Sequence, residues 1–286
     1  MRIWHQSFTD LEMVPTYERS LIEHSGKVVS SDTEVTVHGL RPGTYGTQFS
    51  PIDAIRHRYL EFVNGAQICE AALAAEAAGY DGFALGCFFD PALTEARTLV
   101  TIPVVGIAET CMTVACTLGE RFAMVALNED QRYHYEDVVR NYGLRERCAG
   151  VIAMSPGIDE YSLETEGEEM HEIAASFHRA CEAAMAAGAE VIIPSDGVLN
   201  EFVWRHGLLE HGGATVMDSI GVLFRYTEFV VGARDALGLS LSRVRRYARP
   251  SAAMLDHLRT AAEITPFAED AFSGPLNHAR SSRRGS

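Results

Sequence analysis

The feature that most constrains this chain is an internal repeat. Glu70 through Asp81 forms an alanine-rich stretch that leads into the apolar run Gly82 to Cys87. Arg179 through Glu190 does the same and leads into Val191 to Asp196. Laid in register, Gly79 falls on Gly188, Asp81 on Glu190 and Cys87 on Asp196. Each copy reads as an alanine-rich helix, a glycine stop, an acidic residue and a strand apolar enough to be covered on both faces. Each is followed by another helix and another strand, at Pro103–Ile107 and Thr215–Ser219. A repeat of this length predicts two similar lobes rather than a solenoid.

The rest of the chain alternates in the same way. Strands are predicted at Arg2–Trp4, Glu34–His38, Gly82–Cys87, Val104–Ile107, Phe122–Leu127, Val151–Met154, Val191–Pro194 and Thr215–Met217. Helices are predicted at about 52–79, 91–99, 109–118, 130–142, 166–187, 198–210 and 219–237. Strand–helix alternation implies parallel sheets with helical crossovers. The expected fold class is α/β, with two pseudo-symmetric lobes, each a parallel sheet flanked by helices, and an active site in the cleft between them. One lobe is expected from 1–118, completed by a helix near 226–247, and the other from 119–225. The small, polar, basic tail at 273–286 is expected to be disordered.

Composition narrows the partners. A net charge of −15 over 286 residues opposes nucleic acid and anionic membranes, so neither is expected as a partner. No apolar stretch approaches a membrane span, and the N-terminus lacks the apolar core of a signal peptide. The six cysteines form no CxxC pair and no zinc-spaced cluster with histidine, which predicts free thiols and a cytoplasmic protein. His171 and His178, seven apart, and His206 and His211, about a helix end, lack metal-ligand spacing. With no GxGxxG or phosphate loop, no cofactor and no metal is expected. The partner is a small molecule, and the composition is compatible with a homo-oligomer.

In open parallel sheets ligands sit beyond the carboxyl ends of the strands. Cys87 and Asp196 both stand there, so in two facing lobes they would point into one cleft from opposite sides. A free cysteine is usually a buried structural residue. Here a helix expected to open just after it would stabilise its thiolate. Asp196 alone would be read as the cap of the next helix; its register with Cys87 favours chemistry. Gly197 would let the backbone approach a ligand. Thr110 could hold a carbonyl or carboxylate at a helix start. Gln6, at the end of the first strand, and Phe49, in a Gly/Thr/Ser-rich loop, are further candidates to reach the substrate. Phe88, with Phe89 and Tyr133, suggests aromatic walls.

The run Gly86-Cys87-Phe88-Phe89-Asp90-Pro91-Ala92-Leu93, then Glu95-Ala96-Arg97 and Ile102-Pro103-Val104-Val105-Gly106-Ile107-Ala108-Glu109-Thr110, resembles the aspartate/glutamate/hydantoin racemase superfamily. Gly188–Pro194 resembles the strand before that family's second catalytic position. Val216-Met217-Asp218-Ser219-Ile220 and the segment from Ser242-Arg243 through Tyr247 to Pro250 resemble its last strand and closing segment. The resemblance covers about residues 1–250. It implies cofactor-independent chemistry at a carbon next to a carbonyl, between two facing side chains. The family's racemases carry two cysteines. Cys87 matches the first, Asp196 occupies the second position, and Ala92 replaces a common glycine.

That substitution has a physical consequence. Two thiols of equal pKa exchange roles freely, whereas ordinary thiol and carboxyl pKa values differ by over four units, roughly 6 kcal/mol between the two proton placements. Thiol plus carboxylate is the favoured pair, suited to deprotonation by Asp196 and reprotonation by Cys87. The expectation is a cofactor-independent racemase or isomerase of a small carboxylate, hydantoin or related cyclic amide. The alternatives are a Cys87-nucleophile hydrolase, opening an amide or ring, and a decarboxylase with the same parts. The non-enzyme alternative is a two-lobed small-ligand binding protein. Thiol labelling separates it from an enzyme, in which Cys87 is expected to react faster than the other five cysteines.

Overall fold

The computed structural model describes residues 1–264 and 266–276. Its first half contains β1 (Arg2–Asp10), α1 (Pro15–Val28), β2 (Glu34–Leu40), α2 (Pro51–Ile55), α3 (Arg58–Ala77), β3 (Gly82–Leu85), α4 (Leu93–Leu99), β4 (Val104–Gly106) and α5 (Ile107–Leu118). The second half contains β5 (Phe122–Ala126), α6 (Glu129–Asn141), β6 (Cys148–Ala153), α7 (Gly167–Ala186), β7 (Val191–Pro194), α8 (Gly197–Arg205), β8 (Glu210–His211), β9 (Ala214–Val216) and α9 (Ser219–Leu237), with α10 (Ala252–Ala261) following.

The strands form two sheets, in the orders β2-β1-β3-β4 and β6-β5-β7-β9-β8. All pairings between these strands are parallel except the short β8–β9 pair. The protein is thus an α/β fold of two mostly parallel sheets flanked by helices.

The repeat is visible in contacts as well as in order. Ile3 pairs with Gly82 in the first sheet and Phe122 with Val191 in the second. Asp81 accepts the Arg2 N–H at the start of β1, and Glu190 accepts the Glu120 N–H just ahead of β5. The Arg2 guanidinium donates to the carbonyl of Ala78, and that of Arg121 to Ala187. Gly79 and Gly188 have φ of +75° and +92°, the left-handed backbone that ends a helix and favours glycine. The acidic residue of each repeat is therefore a tie between a helix exit and the neighbouring central strand.

One apolar core spans both sheets, with Ile3, Val37, Ala84 and Val105 from the first and Met124, Val125, Ile192 and Ile193 from the second. A second core covers the other face of the first sheet, between Trp4, Phe83 and Leu85 on strands and Ile68, Ala71 and Ala75 on α3. α9 packs on β3, β4, α1 and α5.

Several local expectations need correction. The helix expected over 52–79 is two, broken at Arg56–His57. The helix expected to run to about 247 ends at Leu237, where Gly238 turns left-handed at φ 69°. β1 runs to Asp10, well past Trp4. Of the segment from Ser273 onward, the first four residues are described: Ser273 bridges to His38, and the Leu276 N–H donates to the buried Glu18 carboxyl at 3.2 Å. Residues 277–286 lie outside the described residues. No described helix is long and apolar enough to cross a membrane.

Candidate active site

The carboxyl ends of β3 and β7 open on one cavity of about 50 Å³. Gly86, Cys87, Phe88 and Phe89 line it from β3, and Asp196, Gly197 and Val198 from β7. Ser7, Phe8 and Thr9 of β1, Tyr17 of α1, Ile52 and Ile55 of α2, Tyr135 of α6 and Glu160 complete the wall.

Two glycines allow this closeness. A Cβ on Gly86 would lie 2.3 Å from the buried His5 ring, and one on Gly197 would lie 2.0 Å from the Tyr17 hydroxyl. Each position is closed to any larger residue unless its neighbour moves. The cleft is therefore built on bare backbone beside both Cys87 and Asp196.

Cys87 does not sit at a helix start, contrary to expectation. α4 begins only at Leu93, so no helix N-terminus stabilises the thiolate. Burial pushes the thiol well above its usual range, and the charges of Glu61, Asp196 and Asp90 push the same way. Asp196 is both cap and cavity residue. Its Oδ1 accepts the Val198 N–H at 2.7 Å and the Leu199 N–H at 3.4 Å, holding the start of α8. Burial raises this carboxyl to about 6, with a contribution from the charge of Glu160, against the opposing effect of those two N–H groups. Near neutral pH the resting pair is a neutral thiol and a carboxylate.

Asp90 of the cysteine run has a different task. Its carboxylate accepts the N–H groups of Ala108 and Glu109 and the Tyr142 hydroxyl. It caps α5 from outside, in place of Gly106, whose own Cβ would strike it at 2.6 Å. Ala92, the N-cap of α4, has φ 54°, a left-handed backbone that only glycine adopts freely.

Of the other predicted substrate-binding residues, Phe88 and Gly197 line the cavity and three do not. Gln6 is fully buried and committed: its amide takes the Trp4 indole N–H at 2.9 Å and donates to the carbonyls of Ser7 and Gly39. Because β1 continues past it, Ser7 to Thr9 reach the cavity instead. Phe49 is 61% exposed on its loop, and the helix behind it, α2, supplies Ile52 and Ile55. Thr110 lines a separate cavity of about 400 Å³ with Arg97, Glu109 and Tyr226, and the first N–H groups of its helix are taken by Asp90. Tyr133 points to solvent beside Arg132, and Tyr135 on the same helix faces the cleft.

The comparisons fit this layout. The Asp/Glu/Hydantoin racemase family model matches residues 16–225. This chain belongs to that family. A hydantoin racemase from a Pseudomonas species is 28% identical over 231 residues, covering 80% of this chain and 85% of the relative. One from Rhizobium meliloti is 29% identical over 176 residues, covering 61% and 68%. The fold is shared with allantoin racemase from Klebsiella pneumoniae, at a TM-score of 0.68 and 22% identity over 88% of this chain and 94% of that one. The protein is accordingly an enzyme of the racemase family.

Proposed function

We propose that this racemase-family enzyme inverts the carbon next to a carbonyl in a hydantoin or related cyclic amide, without a cofactor, using Asp196 as base and Cys87 as acid. The observation that carries the reading is the placement of a carboxyl raised to about 6 and a neutral thiol in the walls of one cavity, at the ends of equivalent strands. The hydantoin racemases among its relatives support the substrate class. In the proposed reaction Asp196 removes the α-proton, the electron pair delocalises into the neighbouring carbonyl, and Cys87 delivers a proton to the opposite face.

Partial burial suits this division. A desolvated carboxylate of pKa near 6 is a stronger base than a solvated one and stays ionised at neutral pH. A thiol held neutral carries the proton the other face needs. The test is deuterium incorporation from heavy water at C5 of single-enantiomer 5-substituted hydantoins, followed by NMR with optical rotation. Exchange together with loss of rotation is expected. Release of a ring-opened acid or of carbon dioxide without exchange would instead assign the hydrolase or decarboxylase reaction.

A further inference from the structure

Glu160 lies in the loop between β6 and α7 and is 5% exposed, yet neither carboxyl oxygen has a hydrogen-bond partner. It lines the cavity that holds Cys87 and Asp196. A buried carboxyl left without donors is costly, so something that enters the cavity is its natural partner. Among the described residues, no lysine, arginine or histidine lines that cavity. The charges that act on Cys87 and Asp196 are all carboxyl groups. The start of α8, the nearest place for an anion, already gives the Val198 and Leu199 N–H groups to Asp196. A substrate carboxylate would meet two carboxyl groups and no cation.

We infer that Glu160 is the specificity-determining residue of this site: it accepts a ring N–H of an uncharged cyclic amide and excludes α-carboxylate substrates. The inference rests on reading this cavity as the substrate site, and it removes small carboxylates from the substrates considered above. A hydantoin ring offers two N–H donors and no charge. The N-carbamoyl amino acid formed by opening the same ring has nearly the same shape and a full carboxylate. A hydantoin methylated on both nitrogens keeps the ring and its neutrality, lacks the donors and is larger by two methyl groups.

The test is calorimetric binding of these three compounds, each with the same 5-substituent, to the wild-type enzyme and to Glu160→Gln. Wild type is expected to bind the unmethylated hydantoin at least about tenfold more tightly than either other compound, the value of one charge-assisted hydrogen bond. Glu160→Gln should weaken hydantoin binding about tenfold and narrow its preference over the carbamoyl acid to within about threefold. Equal binding of hydantoin and carbamoyl acid by wild type, binding of none of the three, or an unchanged preference in a folded Glu160→Gln would overturn the assignment. The wild-type comparison needs no variant. Hydantoin preference without any hydantoin racemisation would leave Glu160 in place and sink the proposed reaction; racemisation with no such preference would do the reverse.

Discussion

At the residue scale, the reaction proposed above turns on the unlike pair of Asp196 and Cys87. Asp196→Asn keeps the oxygen that caps α8 and removes the base, and Cys87→Ser removes the acid at little steric cost. Each should lower kcat by about a hundredfold or more while the melting temperature barely moves. Full activity in Asp196→Asn would leave Asp196 as a cap alone. Because the base has a pKa near 6, kcat/KM should rise with pH up to about 6 and level above it, and a profile falling over that range would contradict the assignment. The thiol-labelling expectation reverses. Cys87 is buried and neutral, whereas Cys69, Cys116 and Cys148 are half-buried, so iodoacetamide should modify one of those three before Cys87. The placement of Cys87 and Asp196 in the walls of one cavity was legible because the repeat put them in register. Glu160, Ser7 and Tyr135 were not, since a lone glutamate in a loop, a serine in a strand and a tyrosine on a polar helix carry no pattern until the fold brings them together.

Helices and strands show where patterning works and where it fails. All eight predicted strands exist, because buried parallel strands are β-branched apolar runs with few rivals. α1 was missed although it forms one wall of the cleft. Its inward face includes Glu18, Ser20, His24 and Ser25, so an apolar stripe is barely visible. Ser20 and His24 are satisfied by other elements, Ser20 by the Glu201 carboxylate. His24 Nδ1 lies 2.7 Å from Glu201 of α8, and Nε2 lies 2.9 Å from Asp218 at the start of α9. Burial alone would lower the imidazole pKa; the two carboxylates override it and raise it to about 9. A pKa raised on folding contributes stability that is complete below the unfolded value of about 6.5 and is lost as pH rises through 9. Chemical denaturation of wild type and His24→Gln should differ by roughly 3 kcal/mol at pH 6, with the gap closing by pH 10. A gap independent of pH would show that the imidazolium is not what joins these helices. At the start of α4, Ala92→Gly should relieve the left-handed strain and stabilise the fold by about 1 kcal/mol, and a loss of stability there would contradict the φ of 54°.

For the molecule as a whole, the repeat was the informative signal, since one helix–glycine–strand unit read twice implied two sheets before any pairing was known. The matched arginine ties of Arg2 and Arg121 lay beyond it, because they depend on strand register. A molecule built twice from one plan yet carrying unlike acids has a thermodynamic consequence. Two enantiomers in an achiral solvent are equally stable, so kcat/KM must be the same in both directions however different Asp196 and Cys87 are. The mismatch acts on the enzyme itself. In the proposed reaction, after each forward passage the proton sits on Asp196 and the sulfur is a thiolate, a state well above the resting one because burial pushes the thiol up from a range already far above that of a carboxyl. The enzyme must then exchange protons with water to reset before it can turn over again in that direction. At high substrate this relaxation, rather than the cleavage of the C–H bond, would set the ceiling on turnover.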